Sequence, residues 1–418
     1  MTRRSGFSRR EYLRTLVAAG GVTALSACLT HSNSNSVSVP AGVESTDSLP
    51  ERQHAWNDWL SRDDDGNVKL PEHHVLVPLA LITEVDETTR EQTEDALREL
   101  ERAYEWSNEG LLFTVGYTPQ YFARFDDELP HSLPDPEPLA LGENPAFDEW
   151  DGLLHLASDH PEVVLEAEAG LFGGRSELNG HEIESDLTGV FERVTDERRT
   201  GFVGAGVVAE QLSHEAIPDA VPENAPFLMG FRSGFTESQA PEDRVTIEDG
   251  PFAGGTTQHV SSMDTHLEQW FEQENQFQRI SKLFSPTHAE DNLVGEVGEK
   301  LGQSSELTGA MTDDIEVFAR EHGIVGHAQK TARAREDGLP LLLRRDFNTV
   351  DDDQPGLHFL SVQRRIADFV QVREAMNGED LAVPRANNGI LHYLFVNRRG
   401  NYLLPPRSLR ALPPANPT

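Results

Sequence analysis

Cysteine, lysine and long apolar runs are scarce in this chain of 418 residues, and each scarcity removes a class of explanation. A single cysteine, Cys28, excludes an intrachain disulfide framework and a thiolate-ligated metal centre. Lysine occurs only at Lys69, Lys282, Lys300 and Lys330, and 35 basic residues face 71 acidic ones, for a formal charge of −36. Such a surface repels phosphates, so nucleic acid is excluded as a partner. It also repels itself in dilute buffer and is tolerable where salt screens charges within roughly 3 Å, as at about 1 M. The composition therefore reads as halophilic solubility, and it lowers the weight of any lone surface carboxylate as a catalytic candidate.

What is present begins at the amino terminus. Ser8-Arg9-Arg10-Glu11-Tyr12-Leu13-Arg14 leads into an apolar stretch containing Gly20 and Gly21 and ending at Leu25-Ser26-Ala27-Cys28. Adjacent arginines, a short apolar segment and a small-residue cleavage site form a twin-arginine export signal over 1–27. The run from Leu16 to Cys28 is too short to cross a bilayer. Cleavage after Ala27 would expose Cys28 for lipidation, so the expectation is a protein lipid-anchored on the external face of the cell membrane. A buried N-terminal helix is the alternative.

Residues 28–50, rich in Ser, Asn, Thr and Pro, read as a flexible tether. Beyond it, strands are expected at 74–82, 111–117, 153–157, 252–260, 339–344 and 357–363. Helices are expected at 88–106, 160–168 (stopping at Gly170), 263–271 and 365–376. A hairpin over 391–404 would turn at 398–401. The recurring order predicts an α+β chain of two ferredoxin-like βαββαβ halves, 51–240 and 241–418. The aperiodic stretches 126–149 and 283–312 read as insertions able to cover a pocket.

Two places can carry chemistry. In Leu341-Leu342-Leu343-Arg344-Arg345-Asp346-Phe347, strand alternation puts Arg344 and Asp346 on one face and Arg345 on the other. A structural Arg–Asp contact is the plain alternative to an anion-binding pair. Seventeen residues earlier stands His327, beside Gly326, which would let the backbone approach a flat cofactor closely. A neutral imidazole is a good iron or zinc ligand, and a hydrogen-bonded core histidine is the plain alternative.

In order along the chain, LLFTVGYTP at 111–119, WDGLLHLASD at 150–159, Gly230-Phe231-Arg232-Ser233-Gly234, the "DLxxW"-like helix ending at Trp270, and His327 followed by Leu343-Arg344-Arg345 occur at workable spacings. Together, over 73–406, they resemble the dye-decolorizing (DyP-type) haem peroxidases, whose fold is a duplicated ferredoxin-like unit forming an α+β barrel-like domain.

The resemblance implies haem b as cofactor, with His327 as axial ligand in preference to the nearby His322 and Arg344 as the distal cation. Phe231, Gly234 and Phe359 would line the pocket. It further implies hydrogen peroxide and a one-electron donor as substrates, and a homo-oligomer as one state of assembly. Trp270 or Tyr393 would relay electrons from bulky donors, with core packing as the alternative for both. One departure stands out: the fourth residue of the family's "GFxDG" signature, the distal aspartate, is here Ser233. A hydroxyl is a poor proton shuttle near neutral pH, so Asp346, or else Glu237, must take that part. Otherwise the domain would be a haem-binding carrier or sensor, or a structural lipoprotein without peroxidase activity.

Overall fold

The computed structural model describes residues 38–204 and 217–417. The signal over 1–27, Cys28 and the start of the tether lie outside them. Among the described residues no helix is long and apolar enough to cross a membrane.

The first half starts with β1 (His73–Leu81), buried almost throughout. Helix α1 (Glu87–Ala103) follows behind a capping box between Asp86 and Thr89, and it buries Ala96, Leu97, Leu100 and Ala103 on one stripe. β2 (Leu112–Tyr117), β3 (Gly152–Ser158), α2 (Pro161–Leu171) and β4 (Arg199–Phe202) complete a βαββαβ unit. Its strands lie side by side as β4-β1-β3-β2, all antiparallel.

The second half repeats this order. β5 (Thr256–Thr265) is followed by α3 (Leu267–Gln273), α4 (Gln276–Leu283), α5 (Ile315–His322) and α6 (His327–Thr331). Two short strands, β6 (Leu343–Arg344) and β7 (Phe347–Thr349), then share one strand position ahead of β8 (Gly356–Gln363), α7 (Ile366–Asn377) and β9 (Leu394–Leu404). Here the order is β9-β5-β8-β7, the same arrangement as in the first unit. The two units join end to end in one eleven-stranded sheet that closes into a barrel.

Closure depends on two narrow seams. β2 meets β9 at the single register pair Tyr117–Leu403, and β4 meets β7 at Phe202–Asn348. A buried amide fastens each. Gln53 donates through Nε2 to Val115 O (3.1 Å) and Pro405 O (2.8 Å) and accepts from the Val115 N–H (2.9 Å). Asn348 donates to Phe202 O (3.0 Å) and Pro226 O (2.9 Å) and accepts from the Leu228 N–H (2.9 Å).

Several sequence expectations need correction. Residues 398–401 form no turn: 394–404 is one continuous strand with a bulge between Val396 and Arg398. Its polar side chains find partners along the strand, since Arg398 pairs with Glu197 (2.7 Å), Arg399 with Glu143 (2.9 Å) and Asn401 with His259 (2.7 Å). Gly170 lies inside α2, not beyond it, because a Cβ there would come within 2.8 Å of Leu178 and 2.9 Å of Ile183, side chains that pack on it. Met263 belongs to β5, and α3 begins only at Leu267. Over 339–344 only Leu343–Arg344 joins the barrel, while Leu339–Pro340 pairs with Arg335–Glu336. The described part of the tether, 38–50, lies on the domain: Val39 and Leu49 pack against its core, and the Val43 N–H donates to Glu101 O at 3.0 Å.

Gln53→Ala or Asn348→Ala would each strand buried backbone groups, at about 1–3 kcal/mol per group. Each variant should lower the urea midpoint in concentrated salt with an unchanged slope. An unmoved midpoint would mean that the sheet closes without the amides.

Candidate functional site

The barrel interior is filled, and the cavity that gathers the candidate residues lies elsewhere, between the second unit's sheet and the helices over it. Alternation along β8 shows this: Leu360 and Val362 pack inward with Val260 and Tyr402, while Leu357 and Phe359 turn outward to line a cavity of ≈ 250 Å³. Its other walls come from α6, α7 and the segments around 227–238 and 283–307. The second of the two expected insertions thus supplies wall, through Leu283, Phe284, Ser305 and Leu307.

His327, Arg344, Asp346, Ser233, Phe231, Gly234 and Phe359 all line this one cavity, although up to 128 residues separate them in sequence. Arg344 is the centre of the polar group. Its Nη2 donates to Ser233 Oγ at 2.8 Å, its Nη1 to Asp346 Oδ2 at 3.3 Å, and its backbone N–H to Gln239 Oε1 at 3.1 Å. Asp346 also accepts from the Leu360 N–H at 3.3 Å. Burial pushes its carboxyl up to about 6, against the pull of Arg344, the Leu360 N–H and Arg345. Arg345 faces the other way, over the Trp56 ring at 5.7 Å and bonded to Asn57 at 2.8 Å.

His327 opens α6 behind Gly326, where a Cβ would lie 1.7 Å from the Phe284 carbonyl oxygen. The close approach that this glycine permits is therefore to Phe284, not to a cofactor. Burial, aided by Lys330, Arg344 and Arg373, pushes the imidazole down to about 3, so it is neutral at any working pH. The residue is partly accessible, and it faces the cavity. Its Nδ1 is buried without a hydrogen-bond partner, which leaves Nε2 as the nitrogen open to the cavity. His322 is no rival: it is exposed at the end of α5, stacked on Phe318 at 4.2 Å. Glu237 is exposed too and does not line the cavity.

Trp270 and Tyr393 are buried rather than superficial, 4.9 Å apart. Trp270 donates to Met229 O at 2.9 Å, and Tyr393 donates to Glu274 at 2.6 Å while accepting from Lys282 at 2.7 Å. These are the contacts of core residues.

Sequence reasoning missed the cavity's charge. Besides Arg344 it is lined by Arg232, Arg335, Arg373 and Arg399, against one carboxylate, Asp346. Glu143, from the first insertion, bonds Arg373 (2.7 Å) and Arg399 (2.9 Å) from behind. No motif flags these partners, which lie 230 and 256 residues apart in the chain. A mostly apolar cavity with a strongly basic lining, inside a protein of charge −36, suits a flat apolar ligand that carries anionic groups. Among the described residues no group of three or more His, Cys, Asp or Glu stands close enough to hold a bare metal ion. A metal at His327 would have to bring its own donors, as a porphyrin does, and the unpaired neutral imidazole fits haem on that ground.

A family model described as a family of unknown function, DUF7405, matches residues 71–406. The chain belongs to that family. No curated protein matches it. Among solved structures, it is similar to a dye-decolorizing protein from V. cholerae, with 15% identity, a TM-score of 0.54 and coverage of 85% of this chain and 98% of the other. A DyP-type peroxidase from Cellulomonas bogoriensis matches at 18% identity and a TM-score of 0.54, over 83% and 93% of the two chains. A DypB variant from Rhodococcus jostii RHA1 in complex with heme matches at 14% and 0.53, over 82% and 96%. The DUF7405 chain thus has the DyP-type fold, a closed antiparallel barrel flanked by helices.

Asp346 makes stability depend on pH. Its folded-state value near 6 lies above the ordinary 3.8, so the folded state binds this proton more tightly than the unfolded chain. The stabilisation from that proton is fully present below 3.8 and is lost as pH rises through about 6. Asp346→Asn should therefore gain stability relative to the parent between these limits, by on the order of 3 kcal/mol at most. Urea midpoints of both proteins at pH 4 and pH 7.5 check this, and a pH-independent difference would contradict it.

Proposed function

We propose that this protein is a haem-dependent peroxidase that uses hydrogen peroxide to oxidise a one-electron donor. It would work outside the cell, exported by the twin-arginine route and anchored through a lipid on Cys28. The observation that carries the reading is the convergence of His327 with the Arg344–Asp346–Ser233 group on one basic-lined cavity. Haem, when bound, supplies an iron able to take two electrons' worth of oxidising power from peroxide and pass it on one electron at a time.

The chain's own residues have three tasks. His327, neutral and with Nε2 free, would hold the iron, and the cavity arginines would meet the propionates. Arg344 offers a fixed cation to the oxygen that gains negative charge as the peroxide O–O bond breaks. Asp346, poised near 6, takes the proton from the incoming peroxide and returns it to the departing oxygen. Ser233 cannot do this. Its Oγ accepts from Arg344 at 2.8 Å and orients the guanidinium, while the carboxylate function has moved to the other side of the same cation.

This placement of Asp346 favours an active enzyme over a haem carrier or sensor. The haem-loaded protein should oxidise an anionic dye only with peroxide, in concentrated salt, with a rate that falls as pH drops through about 6. Asp346→Asn should cut the rate 10²–10⁴-fold, the usual size of a general acid–base contribution. Full turnover in that variant would remove the shuttle assignment, and no turnover in the haem-loaded parent would favour the carrier.

A further inference from the structure

A metal-binding histidine usually has its orientation fixed by a hydrogen bond from its second ring nitrogen to a carboxylate or carbonyl. His327 has no such bond among the described residues. The five-residue helix that carries it is too short to be stable alone. Something else must hold the imidazole in place.

Three contacts hold α6. Gly326 lies flush against Phe284. Gln329, fully buried, accepts from the Gly326 N–H at 2.8 Å and donates to Met311 O at 3.0 Å. Lys330, one turn after His327 and likewise fully buried, donates through Nζ to Met376 O (2.5 Å), Asn388 O (2.8 Å) and Asn388 Oδ1 (2.9 Å). These acceptors use all three N–H groups of an ammonium. Met376 lies in the last turn of α7, where a cation also meets unpaired carbonyls. Gly389 lets the lysine pass: a Cβ there would lie 3.0 Å from Lys330 Nζ and 3.3 Å from His327 Cα.

Burying an ammonium is costly even when it is fully bonded. This chain has only four lysines, and two of them are buried, Lys282 within an ion pair with Glu274 and Lys330 on carbonyl-type oxygens alone. We infer that Lys330 is the positioning residue for His327, tying α6 to α7 and to the Asn388 turn so that Nδ1 stays buried and Nε2 faces the cavity. Its effect on haem binding rests on the function proposed above, whereas its hold on the ring is a property of the chain itself.

The test is a double-mutant cycle on the full chain in concentrated salt, read as haemin affinity by optical titration. Lys330→Met should weaken haemin binding at least tenfold with His327 present and by no more than about twofold in the His327→Ala background. Equal weakening in both backgrounds, or none in either, would overturn the inference. Should Lys330→Met fail to fold, Asn388→Ala, which removes one acceptor, decides the same comparison. If the parent protein binds no haemin, the haem reading falls by itself. Lys330 is then judged by the NMR order parameter of the His327 ring, which should drop in Lys330→Met, while an unchanged value would refute the positioning role.

Discussion

The site depends on one guanidinium. Arg344 reaches Ser233 on one side and Asp346 on the other, and its own backbone N–H is tied to Gln239. Ser233 and Gln239 belong to one segment and Asp346 lies two residues beyond Arg344, so the Arg344 group ties the 233–239 segment to the cavity wall of the second unit. Without this cation Asp346 would be a buried carboxylate with a single hydrogen bond, from Leu360, because Arg345 points into the barrel. Leaving a buried charge unpaired in this way costs about 3–5 kcal/mol. The pair is therefore both a structural tie and a proton site held near neutrality.

The wider electrostatics are arranged around the same cavity. The outer surface carries the acidic excess of a chain at −36, yet the cavity is lined by five arginines and one carboxylate. Two of these arginines, Arg373 and Arg399, are buried, and buried cations act on a ligand far more strongly than surface charges in concentrated salt. High ionic strength can thus quiet the shell without silencing the site. The closed barrel supports this division: it is packed inside, so its second unit can offer the outer sheet face as one rigid wall.

Much of this fold was legible in the sequence, because the runs at 74–82, 111–117 and 153–157 are short and apolar enough to read as buried strands and α1 has the helical period. The alternation of Arg344 and Asp346 against Arg345 was legible from the strand period, whereas the preference for His327 over His322 came from the family resemblance. What failed was local punctuation. Arg398-Arg399-Gly400-Asn401 has the composition of a turn, but ion pairs with Glu197 and Glu143 let it run as a strand. For Trp270 and Tyr393 the structure gives the core packing weighed in the sequence against electron relay. The cavity's basic lining and the Lys330 contacts arise from partners far apart in the chain. The only advance sign of the latter was the rarity of lysine itself.

The central claim is that the His327 imidazole binds iron porphyrin in this cavity. An absorption spectrum of the full chain, produced with haem supplied and purified in concentrated salt, tests it most directly. The account predicts a Soret band with the features of a histidine-ligated haem, and its loss in His327→Ala while the fold persists. A parent protein with no Soret band, or a His327→Ala variant carrying full haem with an unchanged spectrum, would contradict it.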